Sequence, residues 1–109
     1  MERRRQLLQG TLDLLILQTV ALVPIHGHGI AKHIQRTSKD VLQVEHGSLY
    51  PALQRLERQR LIASRWEKTA GGREMKLYRL TDAGRRHLAV EESNWRRIVR
   101  AMGLVLRPV

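Results

Sequence analysis

No cysteine occurs among the 109 residues, so the chain offers neither a disulfide framework nor a thiolate metal site. It also lacks an unbroken apolar run of about 18 residues, the length a membrane-spanning helix requires. Met1-Glu2-Arg3-Arg4-Arg5 begins like the basic region of a signal peptide. The apolar stretch behind it, however, is interrupted by Asp13 and Gln18 and has no small-residue cleavage site. A cytoplasmic protein with no membrane partner is therefore expected. Acidic charge is scarce: 10 Asp and Glu stand against 20 Lys and Arg, a net charge of +10. That imbalance favours an anionic partner, and for a small basic domain the commonest is nucleic acid. Catalytic equipment is missing as well, with no nucleophile–base pair, phosphate-cradling glycine loop or carboxylate cluster to be read. Gly27-His28-Gly29 does not qualify as such a loop, because no strand is read before it. Neither an enzyme nor a cofactor is expected.

A chain of this length is one domain, or one domain with an appendage, and buries a modest core. Its most informative stretch is 47–59, GSLYPALQRLERQ. Leu49, Ala52, Leu53 and Leu56 recur at helical spacing and share one face, opposed by Pro51, Gln54, Arg55 and Arg58. A leucine seam backed by such groups suits a recognition helix. One side docks on a core, while the other offers glutamine to adenine and arginine to guanine. Ser48 is the expected N-cap, which puts Pro51 in the first turn, where a missing backbone donor matters little. Tyr50, on the flank, suits a phosphate contact. Arg55 has two open roles, a base contact or a salt bridge within the fold to Glu45 or Glu57.

Arg3, Arg4 and Arg5 are either an arm touching phosphates or a solvated terminus. Residues 11–23 read as a helix capped by Thr11, with Asp13 at the positive end of its dipole and Pro24 ending it. Leu12, Leu15, Ile16, Thr19, Val20 and Val23 mark an apolar face that Leu14, Leu17, Ala21 and Leu22 widen. A helix apolar nearly all round is buried on more than one side, and in so small a domain the second side suggests a partner subunit. A second helix is expected from near His28 to about Thr37, with Ile30, Ala31 and Ile34 toward the core. His26, His28, His33 and His46 invite a metal reading. His28 and His33 are spaced i,i+5 and splay apart, with no carboxylate or cysteine in the pattern, so these are read as turn and surface histidines and no metal is expected. Residues 41–44 form a brief strand whose pairing with a later hairpin would mark a winged domain.

That hairpin is expected from residues 61–68 and 74–80 around Thr69-Ala70-Gly71-Gly72-Arg73. Ile62, Ser64, Trp66 and Lys68 share one side of the first strand, and Lys76, Tyr78 and Leu80 one side of the second. Lys68, Arg73 and Lys76 cluster near the tip. The alternatives are a wing placed for phosphate or minor-groove contact and an ordinary solvated turn; the basic excess favours the wing. Thr81 caps a last helix over 82–106, with Asp82 in its first turn. Leu88, Trp95 and Met102 are seven apart, as are Ile98 and Val105, a short heptad-like seam that Glu91 breaks and Gly103 weakens. The winged core can be assembled without this seam, so it needs another surface and reads as a dimer interface. Trp95 on that seam either clasps a flat effector with its symmetry mate or simply fills the interface. The expected fold is mainly α with a small β-hairpin: a winged helix-turn-helix DNA-binding domain over 1–81 and a C-terminal dimerisation helix over 82–109.

In this order and spacing, the motifs Leu8-Gln9-Gly10-Thr11-Leu12-Asp13-Leu14-Leu15-Ile16-Leu17, His26-Gly27-His28-Gly29-Ile30, Gly47-Ser48-Leu49-Tyr50-Pro51-Ala52-Leu53 with Arg55-Leu56-Glu57, and Tyr78-Arg79-Leu80-Thr81 with Gly84 resemble the PadR family of bacterial transcriptional regulators over nearly the whole chain. The short C-terminal part looks like the subgroup with a single dimerisation helix. The resemblance implies a homodimer on double-stranded DNA, usually a repressor, often relieved by a small aromatic or cationic effector. It also implies DNA contacts from Ser48, Tyr50 and Pro51, which match the start of the family's recognition helix. Arg60 stands where family members often have glycine, so a left-handed helix end is not expected there. Leu77 and His28 stand where an aromatic is common. The competing function is a winged-helix protein-interaction module, docking through its first and last helices without specific DNA binding.

Overall fold

Alternating helical and two-residue periodicities resolve into four helices and five strands in a computed structural model, which describes residues 5–6 and 9–108. In chain order these are β1 (Arg5–Gln6), α1 (Gln9–Leu22), β2 (Ile25–His26), α2 (Gly27–Thr37), β3 (Leu42–Gln43), α3 (His46–Arg58), β4 (Ile62–Lys68), β5 (Glu74–Leu80) and α4 (Asp82–Leu106). The architecture is mainly helical with a small antiparallel sheet, the winged helix-turn-helix expected. Arg3 and Arg4 of the basic arm lie outside the described residues, as does the side chain of Arg5. Among the described residues no helix is long and apolar enough to cross a membrane.

Helix α1 runs through the middle of the core. Leu12, Ile16, Leu17 and Val20 are buried against Ile30, Ala31 and Ile34 of α2 and Leu49, Ala52, Leu53 and Leu56 of α3. Thr19 is buried with them because its hydroxyl donates to the Leu15 carbonyl at 2.8 Å. Three expectations for this helix change. It begins at Gln9, so Thr11 lies inside it and is no cap, and Asp13 is past the first turn and has another partner. Val23 lies beyond the helix and is exposed.

The sheet has the order β2-β5-β4, with Ile25 opposite Tyr78 and Ile62 opposite Leu80. The sequence placed the short strand near residue 42 beside the hairpin, but it pairs in parallel with β1 instead, Arg5 opposite Leu42. Its expected place is taken by β2, just before Gly27. A strand therefore does precede Gly27-His28-Gly29. Yet a β-carbon at Gly27 would sit 3.0 Å from the Tyr50 ring, and one at Gly29 would sit 2.8 Å from Ile25 Cγ1, so the segment is filled by packing and leaves no cradle for phosphate.

The end of α3 also differs from expectation. Arg60 adopts a left-handed φ of 62°. Its N–H donates to the Glu57 carbonyl and that of Leu61 to the Leu56 carbonyl, each at 3.0 Å, the paired closure that glycine usually provides. Two constraints hold the arginine there: Leu61 is buried, and the Thr81 hydroxyl donates to the Arg60 carbonyl at 2.7 Å. Arg60→Gly is therefore expected to stabilise the protein by about 1 kcal/mol, since it removes the β-carbon penalty of the left-handed region. Urea unfolding of the two proteins measures it, and a destabilised glycine variant would contradict the account.

Helix α4 begins as read from sequence. The Thr81 hydroxyl accepts from the Gly84 N–H at 2.9 Å, and Asp82 stands in the first turn. Gly84 and Leu88 are buried on the winged core, and beyond them the helix leaves it.

Candidate nucleic-acid interface

Helix α3 carries its apolar seam inward as expected, and Ser48, Tyr50, Pro51, Gln54 and Arg58 are exposed. Its start is three residues earlier than Ser48 as a cap implied. Glu45 is the extended N-cap residue, with φ −83° and ψ 144°, and its carbonyl accepts from the Ser48 and Leu49 N–H groups at 3.0 and 2.9 Å. Ser48 is thus inside the helix with its hydroxyl free of a capping duty. Pro51 is in the interior and not the first turn. Its missing N–H leaves the Gly47 carbonyl without a ladder partner, which the exposure of both residues makes tolerable.

Arg55 is spoken for. Its Nη2 donates to Asp13 Oδ1 of α1 at 2.5 Å, with side-chain exposures of 25% and 22%. The internal salt bridge runs to Asp13, which is distant in sequence, and not to Glu45 or Glu57. Arg55 Nε is buried without a hydrogen-bond partner among the described residues, so the guanidinium leans on this one carboxylate. Asp13→Ala would strand a partly buried cation, and we expect a loss of about 2 kcal/mol, below the figure for a fully buried pair because solvent screens part of the charge. Chemical denaturation checks it; a loss under about 0.5 kcal/mol would mean that water does the work of Asp13.

Beside α3 the hairpin rises with the expected strand limits, except that its first strand begins at Ile62 and not at Leu61. Its turn closes with the Thr69 N–H donating to the Arg73 carbonyl at 2.8 Å, and Gly72 takes a φ of 80°. Lys68 and Arg73 are exposed at the tip. Lys76 is placed differently from what clustering at the tip suggested. It lies on the side facing α3, 3.7 Å from Glu57 Oε1, with its ammonium 5.6 Å from the centre of the Trp66 ring. Trp66 is 64% exposed and directly opposite Lys76 in the register. Below them Tyr78 is buried, and burial raises its phenol above the ordinary 10.0, with the charge of Glu57 and then Tyr50 adding to the rise. The native state holds that proton more tightly than the unfolded chain does. The associated stability is therefore present below pH 10.0 and lost as pH rises above it.

Between α3 and the hairpin lies a cleft of about 430 Å³, lined among others by His26, His28, Tyr50, Gln54, Trp66 and Lys76. It brings together three residues singled out from sequence, Tyr50, Gln54 and Lys76. It adds Trp66, whose place opposite Lys76 was legible from the strand pattern although its exposure was not. At the edge of the cleft His46 stacks edge-on between His28, at 5.8 Å, and Tyr50, at 5.6 Å. Among the described residues no three metal-ligating side chains converge.

The proposed seam on α4 divides. Leu88 is 7% exposed and belongs to the winged core, so it is not available as an interface residue; about two turns past the cap, the helix is still docked. Trp95, Ile98 and Met102 are 43%, 53% and 55% exposed, and Val99, Leu104, Val105 and Leu106 are exposed with them. Trp95 and Val99 face Leu14 and Leu15 of α1 across a groove of about 790 Å³, which Arg96 and Arg100 also line. Ile98 lies outside this groove, with Arg97, Ala101 and Leu104.

Comparison with known proteins yields a match of residues 16–90 to the transcriptional regulator PadR-like family. Among solved structures, a PadR family transcriptional regulator from Eggerthella lenta is 32% identical, with 93% of this chain and 86% of that one covered at a TM-score of 0.79. A PadR family transcription regulator from Clostridium difficile is 31% identical, with 87% and 97% covered at 0.76. A PadR-like transcription factor from Bacteroides fragilis is 26% identical, with 89% and 91% covered at 0.75.

Proposed function

The chain belongs to the PadR-like family of transcriptional regulators, DNA-binding proteins and not enzymes, and on that premise we propose that it acts as a homodimeric, sequence-specific repressor. Two copies of α3 enter successive major grooves on one face of the duplex, with half-sites about 34 Å apart. Ser48, Pro51, Gln54 and Arg58 face the base edges, Tyr50 reaches a phosphate from the flank, and Lys68 and Arg73 carry the wing onto the backbone. Arg55 is left out, because its charge is used on Asp13. The cytoplasm is the compartment in which such a regulator works.

The observation that supports this best is that one chain presents both an exposed polar face on α3 and a row of exposed apolar side chains along the outer part of α4. A protomer leaving Trp95, Ile98, Met102 and Val105 in water is completed by a second copy on the same helix. We place effector binding in the groove between α1 and α4, where the Trp95 ring and Leu14, Leu15 and Val99 suit a flat aromatic molecule. The effector relieves repression only by binding more tightly to a dimer whose recognition helices are wrongly spaced for DNA. The residues 1–81 and 82–109 then divide the work between DNA contact and dimerisation, although Leu88 anchors the second part to the first.

The test is binding of the purified protein to the DNA upstream of its own gene and to scrambled DNA of equal length, across a salt series. Preference for the upstream DNA that persists as salt rises is the expected result. Equal affinities that collapse together would overturn sequence-specific repression at that site and favour a protein-docking module.

A further inference from the structure

Glu57 stands in the last turn of α3 and reaches both strands of the hairpin. Its Oε2 accepts from the Ser64 hydroxyl of β4 at 2.6 Å, and its Oε1 lies 3.7 Å from Lys76 Nζ of β5. The same ammonium sits over the ring of Trp66, its cross-strand neighbour. The charge of Glu57 is also felt by Tyr78, directly opposite Ser64. One carboxylate thus ties the recognition helix to both strands of the wing and occupies a cation on the cleft side. Lys68 and Arg73, by contrast, are exposed at the tip, with no ion pair among the described residues.

We propose that Glu57 is a positioning residue for DNA binding: it sets the wing against α3 and, by neutralising Lys76, withholds that cation from the phosphate backbone. Because this rests on the DNA-binding mode proposed above, the experiment has one arm with DNA and one without. Three substitutions separate the parts. Glu57→Gln keeps an acceptor for Ser64 and removes the charge. Glu57→Ala removes both, and Lys76→Gln removes the cation. The first arm measures affinity for a short duplex of arbitrary sequence, since phosphate contacts do not depend on sequence. The second measures hydrogen exchange of the hairpin amides in the free protein.

Glu57→Gln releases Lys76 to a phosphate and steepens the slope of log K against log salt by about 0.9, an extra loss of affinity of about 3.5-fold between 50 and 200 mM. Lys76→Gln alone leaves the slope of the unaltered protein in place, and combined with Glu57→Gln it cancels the increment. Glu57→Ala speeds exchange in β4 and β5 roughly tenfold, whereas Glu57→Gln does not, because only the alanine loses the Ser64 bond. A slope unchanged by Glu57→Gln, or made shallower by about 0.9 by Lys76→Gln in the otherwise unaltered protein, would show that Lys76 is not withheld. Hairpin exchange unaffected by Glu57→Ala would overturn the positioning role. Should the unaltered protein bind no duplex at any salt, the DNA-binding mode fails, and the exchange arm still decides whether Glu57 braces the wing.

Discussion

Gly84→Ala is expected to lower stability by about 4 kcal/mol, which for a domain of this size corresponds to a fall in Tm of roughly 15–30 °C. A β-carbon at this position would stand 2.9 Å from the carbonyl carbon of Leu61 and 2.7 Å from Leu80 Cδ1, with the Leu61 oxygen closer still. Side chains in a core can shift, but the Leu61 carbonyl cannot. It accepts from the Thr81 N–H at 3.1 Å, and the Thr81 hydroxyl that caps α4 shares its one proton between this oxygen, at 2.9 Å, and the Arg60 carbonyl, at 2.7 Å. Relief therefore means lifting α4 off the wing, which also uncovers Leu88. Differential scanning calorimetry is the measurement, with Gly47→Ala as the control, since a β-carbon there meets nothing within 4 Å. A Gly84→Ala variant within about 1 kcal/mol of the unaltered protein would mean that α4 docks in another way.

Ile98→Asp is expected to separate the proposed dimer and to reduce operator affinity at least about 100-fold, because each winged domain then binds its half-site without the effective concentration its twin supplies. Ile98 is chosen because it takes no part in the winged core and lies outside the groove lined by Trp95, so neither the fold of the protomer nor the proposed effector site is touched directly. A carboxylate in an apolar interface has to be desolvated without a partner, which is costly enough to abolish association at micromolar concentration. Sedimentation should give a dimer for the unaltered protein and a monomer for the variant, with helical content retained. A variant that sediments as a dimer would sink α4 as the dimerisation element and leave the exposed face of α1 to be tried next.

The features read correctly from sequence are those set by neighbours along the chain. The limits of the hairpin, the inward seam of α3 and the Thr81 cap of α4 each depend on residues within a few positions of one another. The misreadings have the complementary cause. Arg55 bonds to Asp13, 42 residues away, and helical spacing says nothing of which carboxylate folds up beside it. Strand β2 is two residues long and has no period to read; it exists because Tyr78 and Leu77 present a free edge to it. Ser48 and Thr11 have good capping chemistry, but each lies within a helix that starts earlier.

Composition and periodicity alone determined that this is a small, basic, winged helix-turn-helix protein with a recognition helix, a hairpin and a long last helix, because charge balance and amphipathic pattern are properties of the chain itself. Tertiary structure alone decided which charges are paired within the fold and which stay exposed. Lys76 looked equivalent to Lys68 in the sequence and Arg55 had two open roles, yet packing set Arg55 and Lys76 against Asp13 and Glu57 and left Arg58 and Lys68 exposed. It likewise held Arg60 in a left-handed conformation and split the α4 seam between core and exposed surface. Each of these outcomes depends on which distant groups are brought within a few ångströms, and that proximity is created only when the elements pack.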